Sequence, residues 1–134
     1  MKRTVAAVLL AAVALTGLAR LVRAQEKEEP VDPRILAYDK GPAKIDVSTY
    51  PAALQNTYKT LFLKKCNDCH TVARAINSEF VLEDEWERYI KRMMRRSGKI
   101  TADEGKQIYD FVVYDSKTRK KALYDKRLVE GPRP

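Results

Sequence analysis

Histidine and cysteine are nearly absent from this chain of 134 residues: His70 is the only histidine, and Cys66 and Cys69 are the only cysteines. So small a set excludes several functions. Structural zinc needs four ligands, and here three Cys/His residues are crowded into five positions. A disulfide from Cys66 to Cys69 would staple almost nothing. Proline is missing from Pro51 to Pro132, so the body of the chain contains no helix breaker. No segment alternates convincingly as a strand, which removes the βαβ setting of a thioredoxin-like redox pair. Repeats and low-complexity tracts are absent as well.

Acidic residues are missing from the first 24 positions. Met1-Lys2-Arg3 is a basic start, Thr4 to Ala19 is an apolar run, and Val22-Arg23-Ala24 offers small residues at a cleavage position. Residues 1–24 are therefore expected to be a secretory signal with Gln25 first in the mature chain. Arg20 and Arg23 lie close to that cut, which leaves a retained anchor as the alternative. The run is shorter than the roughly 20 residues a spanning helix wants. Either way the remainder is exported, to the periplasm or the outer face of the cytoplasmic membrane, and associates with the membrane only if the anchor is kept. Four of the 26 basic residues belong to this segment, leaving 22 against 18 acids. That excess is mild and makes no case for nucleic acid.

What the chain does contain is Cys66-Asn67-Asp68-Cys69-His70, the C-x-x-C-H spacing of a c-type haem attachment site. Two thiols at this separation add across the two vinyl groups of one haem, and the adjacent histidine is then held beneath the iron. One motif allows one covalent haem c. A large apolar macrocycle would also complete the core of a chain too short to bury much surface alone.

The second axial ligand must come from elsewhere, and bis-histidine ligation is excluded. After the signal the only methionines are Met93 and Met94. Met93 continues the apolar stripe Trp86, Tyr89, Ile90, whereas Met94 is turned about 100° toward its edge. Met93 is the expected ligand, with Met94 as the alternative. A five-coordinate iron open to small ligands is the third reading. His/Met ligation closes both axial positions and favours the ferrous state, which suits electron transfer rather than turnover. No catalytic residues are expected.

Three helices are legible. The first opens near Ser48 or Thr49, with Pro51 in its first turn, carries Leu54, Tyr58, Leu61 and Phe62 on one face, and runs into Cys66. The second covers roughly 83–95 and stops at Ser97-Gly98. The third opens with the capping box Thr101-Ala102-Asp103-Glu104 and continues to about Arg119, burying Ile108, Phe111 and Val112. The expected organisation is a signal at 1–24, a tether at 25–49 broken by Pro33 and Pro42, a haem domain at 50–119 and a basic tail at 120–134. Ile35, Leu36, Ile45 and Val47 could lay part of the tether on the domain. The fold class is all-α, a small cytochrome c-like fold of three to four helices around the haem. Trp86 reads as a core residue, with a bond to a haem propionate as the rival role. The basic groups of 64–65, 88–96 and 117–121 could steer an acidic partner, or simply form a solvated face.

With these residues in hand, the chain resembles the small monohaem cytochromes c over about residues 45–120. More closely, it is similar to the soluble haem domain of the cytochrome c of green sulfur-type photosynthetic reaction centres. The likeness is carried by 45–51, Cys69-His70-Thr71-Val72-Ala73-Arg74, Trp86 to Met94, and 108–116. It implies a helical fold around His/Met-ligated haem and a role passing single electrons between redox proteins, expected to be membrane complexes. It does not imply photosynthesis. Two features depart from cytochromes c. Tyr58 stands where a glycine often lies eight residues before the first cysteine, which predicts a wider crossing of first and last helices. No proline follows His70 until Pro132, so another carbonyl must hold the imidazole N–H. The rival functions are a haem-based sensor or small-ligand binder, and an electron-transfer subunit fixed to a dehydrogenase.

Overall fold

A computed structural model describes residues 32–131. The signal, its cleavage site and the first residues of the expected tether lie outside the described residues. Among the described residues there is no strand, so the all-α expectation holds at the level of class. Nor is any described helix long and apolar enough to cross a membrane.

The elements in chain order are α1 (Pro33–Asp39), α2 (Ala52–Thr57), a π-helical stretch (Tyr58–Phe62), α3 (Leu63–Lys65), α4 (Ala73–Asn77), α5 (Glu83–Ser97), α6 (Ala102–Thr118) and α7 (Lys121–Glu130). α2, the π-helical stretch and α3 form one continuous rod that ends at Cys66, as the stripe predicted. Tyr58 and Phe62 are buried, stacked at 5.9 Å, and both meet Phe111 of α6, at 5.4 and 4.9 Å between ring centroids. Aromatic rings thus fill the crossing of this rod with α6.

α5 buries Trp86, Tyr89 and Ile90 and ends at Gly98, whose φ of 62° lies in the left-handed region open to glycine. α6 starts with the predicted reciprocal cap: Thr101 Oγ1 accepts from the Glu104 N–H and Glu104 from the Thr101 N–H. Its small residue, Gly105, faces α5, and a Cβ there would lie 2.6 Å from Met94 Sδ. Trp86 donates its indole N–H to Ser116 Oγ at 2.9 Å, so its polar end is used inside the core.

The described part of the expected tether, 32–49, includes a helix and packs on the domain. Asp32-Pro33 is a helix start rather than a break: Asp32 caps the Arg34 N–H, and proline sits first in the helix, where its missing N–H costs nothing. α1 packs on α4, and Val47 and Tyr50 belong to the core. The basic tail also folds as far as Glu130, with the Tyr124 O–H donating to Glu83.

Candidate functional site

Cys66 closes the rod, and the chain then turns through Asn67 to Thr71 before α4 begins. The turn is held from both ends. Asn67 Oδ1 accepts the Val72 N–H, and Thr71 Oγ1 accepts the Ala73 N–H. Lys65 crosses to the loop between α5 and α6, donating to the Lys99 carbonyl and pairing with Glu104 at 3.0 Å, while Lys99 pairs with Asp68.

The motif borders a cleft of about 290 Å³, about the size at which small-molecule sites begin. Cys66, Cys69, His70 and Met93 all line it. The motif turn supplies the first three, and α5 presents Met93 from one turn beyond Tyr89. Ile35, Phe80 and Ile100 add apolar wall, and Lys65, Arg74, Arg92 and Arg96 add positive charge. Met94 does not line the cleft: its thioether is packed against Gly105 of α6. The two adjacent methionines thus face different neighbours.

His70 Nδ1 lies 3.0 Å from the Thr71 carbonyl oxygen. A carbonyl can only accept, so Nδ1 is the donor, and in the neutral imidazole the lone pair then sits on Nε2. A hydrogen bond of this kind from the other ring nitrogen is how a metal-ligating histidine is oriented. Burial pushes the largely enclosed Cys66 thiol up to about 12, so it is neutral near pH 7, whereas Cys69 is exposed. A thiol–disulfide catalyst requires the reverse, a thiolate favoured by nearby positive charge.

Several cleft residues escaped the sequence reading. Tyr89 was read as core alone, yet it forms cleft wall; burial raises its hydroxyl to about 12, and the positive charges of Arg74 and Arg92 oppose that rise. Arg92 also lies over its ring, 5.5 Å from the centroid. The signal for Tyr89 was its spacing, four residues before Met93 on one helical face. Arg74 likewise falls four residues after His70. Ile35 is among the residues expected to lay the tether on the domain, and Tyr38 gave no comparable signal, because its segment reads as tether.

The residues present suit a haem: paired thiols, an imidazole with a free Nε2, a thioether on the same cleft, apolar walls and cations for carboxylates. Among the described residues no cluster of three or more His, Cys, Asp or Glu side chains could hold a bare metal ion. Compared with known proteins, the chain matches no family model, no curated protein and no solved structure.

Proposed function

We propose that the chain is an exported, monohaem cytochrome c that carries single electrons between redox partners. Cys66 and Cys69 would bond the haem c, His70 would ligate its iron through Nε2, and Met93 would take the sixth position. The observation that carries this reading is the convergence of Cys66, Cys69, His70 and Met93 on one cleft, although α5 and the motif are separate in sequence.

The haem supplies the one-electron chemistry when bound. The protein's part is to hold and tune it. The Thr71 carbonyl fixes the imidazole tautomer, and a neutral thioether favours the ferrous state. Ile35, Phe80, Tyr89 and Ile100 restrict water, and Arg74, Arg92 and Arg96 offset carboxylate charge. His70 being the only histidine, no distal imidazole exists for acid–base work, which favours a carrier over an enzyme. The proposed location is the periplasm or the outer face of the cytoplasmic membrane, and the proposed donors and acceptors are membrane complexes.

The test is to express the full chain with a haem-attachment system and examine the exported protein. A haem that stays on the chain through a denaturing gel, with a low-spin redox spectrum indifferent to CO, is the expected result. Absence of covalent haem overturns the reading. Covalent haem that readily binds CO replaces the carrier by a sensor or ligand binder.

A further inference from the structure

We infer that residues 32–42 belong to the cofactor site itself: Ile35 and Tyr38 are part of its wall, and Asp39 positions the Arg74 guanidinium as counter-charge for the haem carboxylates. The inference rests on the haem reading above.

α1 has seven residues and buries none of them, too little for a helix that short to persist alone. It is nonetheless clasped twice onto α4. Asp39 takes both Nε and Nη2 of Arg74, and that guanidinium holds the Asp39 carboxyl below the usual carboxylate range. Asn77 Nδ2 donates to the carbonyls of Tyr38 and Pro42 at 3.1 and 3.0 Å. The turn at Gly41 comes so close that a Cβ there would sit 2.4 Å from Asn77 Nδ2, an approach only glycine permits.

Both clasps hold the helix by polar groups. Its apolar residues Ile35 and Tyr38 face the cleft instead, and Leu36 is exposed. An apolar occupant would cover Ile35 and Tyr38 and complete the burial that α1 lacks. Arg74 also lines the cleft, and its charge acts on the Tyr89 hydroxyl together with that of Arg92. Asp39 engages Nε and Nη2, which leaves the Nη1 hydrogens for another anion. A planar occupant carrying carboxylates matches both features: an apolar wall, and a cation held in one orientation.

The test compares haem-loaded full-length protein with its Asp39→Asn, Arg74→Gln and Asn77→Ala variants, by hydrogen exchange and redox titration. In the loaded wild type the amides of 34–39 should be protected, and all three substitutions should speed their exchange at least tenfold. At a fixed applied potential the ferrous-to-ferric ratio should rise several-fold in Asp39→Asn, which removes a negative charge. It should fall several-fold in Arg74→Gln, which removes a positive one. Asn77→Ala loosens the same helix without changing charge, so it serves if a charge variant does not fold. Unprotected amides at 34–39 in loaded wild type, or loosened exchange with potentials unmoved in both charge variants, would overturn the inference and leave the haem reading standing. A wild-type chain that acquires no haem overturns both.

Discussion

Met94 Sδ fills the space that a side chain on Gly105 would need, 2.6 Å from an ideal Cβ at that position. This contact joins α5 to α6, and it bears on the mutational outcome at Gly105. Gly→Ala inside a helix normally stabilises by about 0.5–1 kcal/mol. Here Gly105→Ala must turn the thioether aside, which the outer end of a flexible side chain does at small cost, so the contact takes back part of that gain. The expected outcome is a smaller stabilisation alone than in a Met94→Ala background, where the full gain of about 0.5–1 kcal/mol returns. Urea melts of the four proteins in this cycle check the difference. If Gly105→Ala has the same effect in both backgrounds, the contact is not the cause.

The same packing gives the two methionines different surroundings. Met93 lines the cleft beside His70 and the cysteines, and Met94 does not. Met93→Ala should abolish the low-spin ferric spectrum and open the iron to CO. Met94→Ala should lower stability and leave the spectrum intact. Optical spectra of both variants decide it, and the opposite pattern would make Met94 the ligand.

Lys120 should make stability depend on pH in the alkaline range. Its Nζ donates to the Ser78 carbonyl at 2.7 Å and lies 5.5 Å from the centroid of the Trp86 ring. Burial, helped by the charge of Arg119, lowers it from 10.5 to about 8. The unfolded chain therefore takes up a proton below about 10.5 that the folded chain refuses until about 8. Stability should rise on going from pH 8 to pH 10.5, by something on the order of 3 kcal/mol. Denaturant titrations across this range should show the rise in wild type and its loss in Lys120→Met.

The buried phenols work in the opposite direction at higher pH. Tyr50 O–H donates to Asp115 Oδ1 at 2.7 Å, and Asp115 is further held by Arg119. Burial is the main cause that raises Tyr50 to about 12, as it does for Tyr89. A raised folded value means the stability is intact below the ordinary pKa of about 10 and is lost as pH climbs toward 12. Thermal melts should therefore fall steeply above pH 10. Tyr50→Phe should flatten part of that fall, while costing about 1 kcal/mol at neutral pH for the lost hydrogen bond. An unchanged alkaline slope in this variant would remove Tyr50 as a cause.

Features set by neighbours in sequence could be read directly. The Thr101–Glu104 cap, the end of α5 at Gly98 and the burial of Trp86, Tyr89 and Ile90 depend on spacings within a few residues, and all are found where expected. The helical start at Asp32-Pro33 was equally local, but its two prolines made the segment look like a tether. α4 was missed because five residues give too short a stretch for periodicity to register. That Tyr58 lies on the buried stripe of the rod was legible, but not its packing against Phe111, which comes from the far end of the domain.

The sequence by itself determined the chemistry on offer: two thiols and one imidazole at haem spacing, two methionines as the remaining soft ligands, and helix faces to bury. Residue type and short-range spacing are sufficient for that. Only the tertiary structure decided which methionine meets the motif, which carbonyl holds His70, and that Ile35 and Tyr38 wall the cleft. Those outcomes depend on contacts such as Asp39 with Arg74, 35 residues apart, and on the close passage of α5 over Gly105. Helical periodicity places a side chain on a face. The element that crosses that face, and how near it comes, is settled only when the whole chain packs.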